Sequence, residues 1–63
     1  MFYSGSQVKI DNQSIYAVLK RNGSIPARCK IFSVVKPEDE DGWVGIVCRS
    51  QVLYVQAHDL VKA

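Results

Sequence analysis

Ser24-Ile25-Pro26-Ala27-Arg28-Cys29-Lys30-Ile31-Phe32-Ser33-Val34-Val35 and, after an acidic loop, Trp43-Val44-Gly45-Ile46-Val47-Cys48-Arg49 decide how this chain is read. β-Branched and apolar residues recur there at every second position. That is the period at which successive side chains of a strand point to opposite faces. On this reading Ile25, Ala27, Cys29, Ile31, Ser33 and Val35 line one face of a long strand, and Val44, Ile46 and Cys48 line one face of the next. Phe32 and Val34 make both faces apolar toward the end of the first stretch, which predicts a bend, with a bulge near Ser33. Pro26 has no backbone donor and suits an edge or a strand start.

Working outward, Gln7-Val8-Lys9-Ile10 reads as a first strand with Val8 and Ile10 inward, ended by the turn-prone Asp11 to Ser14. Arg49-Ser50-Gln51 is a tight turn and Val52 to Gln56 the returning strand. Ala57-His58-Asp59-Leu60 is a single helical turn, with Leu60 closing one end of the sheet before a last short pairing at Val61. The segment Ser14 to Arg21 fits two structures. Asn22-Gly23 is a strong hairpin signal, and Ile, Tyr and Val in close succession favour strands, so a hairpin is the preferred reading. The competing reading is a short helix capped by Asp11 or Asn12, with Lys20 and Arg21 in its last turn and Gly23 just beyond.

A chain of 63 residues is one domain at most, and a domain of this size buries only roughly 60% of the surface its unfolded form exposes. The chain opens with no basic segment leading into an apolar run, and no stretch approaches the length of a membrane span. With two cysteines, too few for a disulfide-rich scaffold, the preferred expectation is a cytoplasmic protein with free thiols. A Cys29–Cys48 bridge is the alternative, since the two lie on different expected strands. Two cysteines and one distant histidine, His58, fall short of a four-ligand zinc site. No metal and no cofactor is expected.

The glycine-preceded strand Gly5-Ser6-Gln7-Val8-Lys9-Ile10, the Trp43 strand and the closing Asp59-Leu60-Val61 together resemble the small SH3-like barrel class. The resemblance is architectural and covers most of the chain. It implies an all-β fold over residues 1–63: five strands in a partly open barrel, with one helical turn near the C-terminal end. Proline-peptide-binding members of that class carry a paired tryptophan after the acidic loop, and this chain has a single Gly42-Trp43. Such barrels serve as nucleic-acid readers, peptide readers and structural inserts, so the fold alone assigns no function.

Candidate functional residues fall into two sets. Trp43, Tyr54 and Tyr16 supply large, rigid contact area of the kind that dominates protein interfaces, with Glu38, Asp39, Glu40 and Asp41 alongside to orient a basic partner. Those four hold most of the chain's six carboxylates, and they lack the spaced oxygen pattern of a calcium loop. Phe2 and Tyr3 either fold back over the sheet or dock onto another chain. The second set, Arg28, Lys30 and Arg49 on the outward face of neighbouring strands with Lys20 and Arg21 beside the Asn22-Gly23 turn, suits phosphate contacts. A net charge of +2 gives that nucleic-acid reading little weight. No nucleophile, base and orienting group come together around His58, and no phosphate-cradling glycine loop occurs, so an enzyme is not expected. The expectation is a non-enzymatic accessory or regulatory module that contacts another protein through an aromatic-bearing sheet face. Nucleic-acid binding is the alternative, and a homo-oligomer is compatible with either.

Overall fold

The computed structural model describes residues 2–25 and 28–63. Strand β1 (Gln7–Ile10) leads into helix α1 (Gln13–Arg21), followed by β2 (Phe32–Lys36), β3 (Trp43–Cys48), β4 (Gln51–Gln56), a one-turn 3-10 helix (Ala57–Asp59) and β5 (Leu60–Lys62). The strands form one antiparallel five-stranded sheet in the order β4-β3-β2-β1-β5. Among the described residues no helix is long and apolar enough to cross a membrane.

The period-two reading holds where the backbone is pleated. Val8 and Ile10 of β1, Val44 and Ile46 of β3, Leu53 and Val55 of β4, and Leu60 all point into one buried cluster. The β3–β4 ribbon is the most regular part, with six successive cross-strand pairs from Trp43↔Gln56 to Cys48↔Gln51. Its connection is the two-residue Arg49-Ser50 turn, both at positive φ, 54° and 69°. That is the backbone hand that matches the twist of a hairpin, adopted here without glycine.

Three expectations are corrected. The all-β assignment fails because residues 13–21 are helical. Asn12 starts the helix, its side-chain oxygen accepting from Ser14 N at 3.0 Å and Ile15 N at 3.2 Å, which satisfies two donors that have no intrahelical partner. A mirror-image hairpin turn at Asn22-Gly23 needs positive φ at both residues. Asn22 sits at −86° and donates its N–H to Val18 O, while Gly23 takes +85° just past the helix end. The same dipeptide thus serves as a helix stop, and Tyr16 and Leu19 turn toward the core while Ile15 and Val18 face solvent.

The second correction concerns the long strand. Only Phe32–Lys36 is pleated. Phe32 and Val34 are buried, and Ile31 and Val35, expected inward, are exposed. Arg28 at φ 77° is in a left-handed turn, so the alternation that starts at Ile25 and Cys29 does not carry its phase into β2. The expected positions of Pro26 and Ala27 lie outside the described residues. The bulge sits just beyond Ser33: Val34 pairs with Ile46 and Lys36 with Gly45, leaving Val35 as the extra residue.

The third correction replaces free thiols with a Cys29–Cys48 disulfide, its Cα atoms 6.4 Å apart. It fastens the irregular stretch before β2 to the end of β3. Two further ties serve the same segment: Tyr16 Oη donates to Cys29 O at 3.0 Å, and Gln51 Nε2 donates to Gly23 O and Ser24 O at 3.1 and 2.7 Å. Phe2 packs against the core, and Tyr3 is exposed.

Candidate functional site

With Val44 and Ile46 inward, Trp43, Gly45 and Val47 of β3 must face out, as must Val52, Tyr54 and Gln56 of β4. Cross-strand register puts Tyr54 opposite Gly45. A Cβ on Gly45 would stand 3.2 Å from Tyr54 Cε1 and 2.8 Å from Lys36 Cβ, so the missing side chain is the space into which the phenol ring leans. Trp43 and Tyr54 remain 43% and 53% exposed on neighbouring strands.

The acidic turn serves first to place Trp43. Asp39 accepts from Asp41 N and Trp43 N, both at 2.9 Å, while its own N–H donates to Trp43 O at 3.0 Å. Gly42, at φ 85°, gives the sharp reversal that this needs. Asp39 is therefore committed to the turn, whereas Glu40 and Asp41 are exposed. On the far side the indole Nε1 donates to the Gln56 side-chain oxygen at 3.2 Å, and the Gln56 amide nitrogen donates to Asp41 O at 3.3 Å.

Trp43, Tyr54 and Gln56 form one wall of a groove of about 220 Å³; Ile15 and Leu19 of α1 form the other, with Val55 and Asp59 between. Asn12 sets the helix in place. Its oxygen caps α1, and its Nδ2 donates to Asp59 Oδ1 at 3.1 Å. Asp59 is buried, and Nε2 of the exposed His58 lies 3.6 Å from its other oxygen. The helical turn expected at residues 57–60 brings these two neighbours together.

Tyr16 is not part of this groove. Its hydroxyl is spent on Cys29 O, Lys20 Nζ stands 5.8 Å from its ring centre, and it lines a second cleft of about 240 Å³ with Lys9, Ile10, Gln13 and Lys30. Nor do Arg28, Lys30 and Arg49 share a sheet face. Arg28 and Lys30 precede β2, and Arg49 occupies the β3–β4 turn. Instead each of Arg28 and Arg49 adjoins a bridged cysteine, and the Gln51 amide holds the loop after Arg21 at the same end of the ribbon. The charges are therefore separated along β3, the Glu38–Asp41 turn before Trp43 and Arg49 after Cys48.

Ile15, Leu19 and Asp59 were not among the residues expected in the site. A hairpin at 14–23 puts Ile15 and Leu19 on a strand face, whereas a helix brings them together one turn apart. The apolar i, i+4 spacing was the available signal. Among the described residues no three His, Cys, Asp or Glu side chains converge as metal ligands. The groove offers apolar area, a phenolic hydroxyl and a carboxylate already engaged by Asn12. No family model, no curated protein and no solved structure matches this chain.

Proposed function

We propose that this chain is a non-enzymatic protein-binding module, a small SH3-like barrel that holds a partner in the groove between α1 and the β3–β4 ribbon. The observation that carries the reading is the joint exposure of Trp43 and Tyr54 beside Ile15 and Leu19. Exposed clustered aromatics and aliphatics are costly in water and become favourable on contact with a complementary surface. Glu40 and Asp41 next to Trp43 favour a partner with positive charge at that end. The bridged cysteines favour an oxidising compartment in place of the cytoplasmic one expected for free thiols.

The test is a titration of the full chain with a library of extended apolar-basic peptides and, separately, with mixed DNA and RNA oligomers at low and moderate salt, read by the fluorescence of its one tryptophan. The expected result is saturable binding of peptides that shifts the Trp43 emission and weakens at least roughly thirtyfold in Trp43→Ala. Salt-dependent affinity for the oligomers, lost in Arg28→Ala/Lys30→Ala, replaces the proposal with the nucleic-acid alternative.

A further inference from the structure

The two edges of the sheet differ. β5 is three residues long and ends in Lys62, which are the usual devices that keep an edge from pairing with another chain. β4 has six residues, Gln51-Val52-Leu53-Tyr54-Val55-Gln56, with no charge, no proline and no bulge. The Arg49-Ser50 turn makes Cys48↔Gln51 the first pair of a two-residue hairpin. Gln51, Leu53 and Val55 therefore direct their N–H and C=O groups to β3, and Val52, Tyr54 and Gln56 direct theirs away from it. Among the described residues none meets those outward groups through its backbone. Val52 and Tyr54 are both more than half exposed, at 51% and 53%.

The charges along the ribbon select the occupant. The Glu38–Asp41 turn lies at its Trp43 end and Arg49, with Arg28 across the disulfide, at its other end. A second copy laid antiparallel along β4 brings the basic end of each chain toward the acidic turn of the other, twice over by symmetry. A copy laid parallel brings like charges together.

We infer that β4 is a self-association edge: two copies pair β4 against β4 in antiparallel fashion about a two-fold axis at Tyr54, joining their sheets into one. Val52 of one copy lies opposite Gln56 of the other, and the two Tyr54 rings meet on the outward face. The inference rests on the reading of the Trp43–Tyr54 surface as a protein-contact surface and names its occupant as a second copy of this chain.

Sedimentation velocity on the full oxidised chain over a roughly hundredfold concentration range tests this. The expected result is conversion from monomer to dimer with rising concentration. Tyr54→Pro removes an outward N–H without touching the β3 ladder and stays monomeric with the ribbon amide spectrum retained. Arg49→Asp, an acid that tolerates left-handed backbone, and Glu40→Lys each weaken the dimer roughly tenfold, and the two together on one chain restore it. A monomer at every concentration, or a dimer that survives Tyr54→Pro, overturns the inference. If Tyr54→Pro does not fold, failure of the double charge variant to recover overturns it equally. A monomer whose Trp43 emission still responds to peptides sinks only the self-pairing and leaves the binding module standing.

Discussion

The β3–β4 ribbon and the stretch from Asp11 to Ile31 are of comparable importance to the groove and are held in opposite ways. The ribbon is held by itself: six cross-strand pairs, alternate side chains in one core, and a two-residue turn. The stretch is held from outside. None of the residues of α1 is fully buried, and Val18 is 58% exposed. Beyond Ile25 and Cys29 in the core and the Asp11 N–H bond to Asp59 O, its position depends on single ties: Asn12 to Asp59, Tyr16 to Cys29, Gln51 to Gly23 and Ser24, and the disulfide. A wall built on period and pairing tolerates loss of any one contact, whereas a wall built on tethers moves when a tether is cut. The groove has one wall of each kind, which makes α1 the adjustable side and Trp43 with Tyr54 the fixed one.

Cutting the covalent tether is the strongest way to break that contrast. The bridge spans a sequence separation of 19, and closing a loop of that length stabilises the fold by about 3 kcal/mol in the chain-entropy account. Cys29→Ser/Cys48→Ser is expected to lose roughly that amount in urea unfolding, with amide shifts at low denaturant confined to residues 13–31 and the immediate neighbours of Cys48, among them its β4 partner Gln51. Equal disturbance of β3 and β4 would show that the two walls are not independent. Gly45→Ala strikes the other wall. The new methyl meets Lys36 Cβ at 2.8 Å and the Tyr54 ring at 3.2 Å, so a loss of about 1–3 kcal/mol is expected, together with displacement of the Tyr54 ring resonances.

Asn12→Ala removes both the helix cap and the bond to Asp59. About 1 kcal/mol is expected to go, with α1 amide exchange accelerated and β3–β4 exchange unchanged. At the smallest end, Arg49→Asn/Ser50→Gly gives the turn residues suited to its positive φ values, 54° and 69°. A gain of about 0.5–1 kcal/mol in thermal or urea unfolding is expected, and a loss would show that Arg49 contributes more than conformation.

What was legible in the sequence follows the same division. Alternation of Val44, Ile46 and of Val8, Ile10 specified strand, register face and core together, because a pleat transmits its phase from residue to residue. The helical turn before Leu60 was legible separately, in Ala57-His58-Asp59-Leu60. The helix at 13–21 was hidden because Asn-Gly satisfies two demands for positive φ, a hairpin turn or a helix stop, and only the conformation of Asn22 separates them. The phase of β2 was lost because Arg28, a residue with no turn signature, takes left-handed backbone next to a bridged cysteine. Ile15 and Leu19 fell out of the expected site as a consequence of the first error, and Tyr16, expected beside Trp43 and Tyr54, lines the other cleft.

Amide hydrogen exchange along β4, followed as protein concentration is raised, tests most directly whether the ribbon's open side is a contact surface. In dilute solution Leu53 and Val55 should exchange slowly and Val52, Tyr54 and Gln56 fast, and on concentration the latter three should become protected together. Slow exchange of Val52, Tyr54 and Gln56 already in dilute solution, or fast exchange that no concentration slows, would contradict the account.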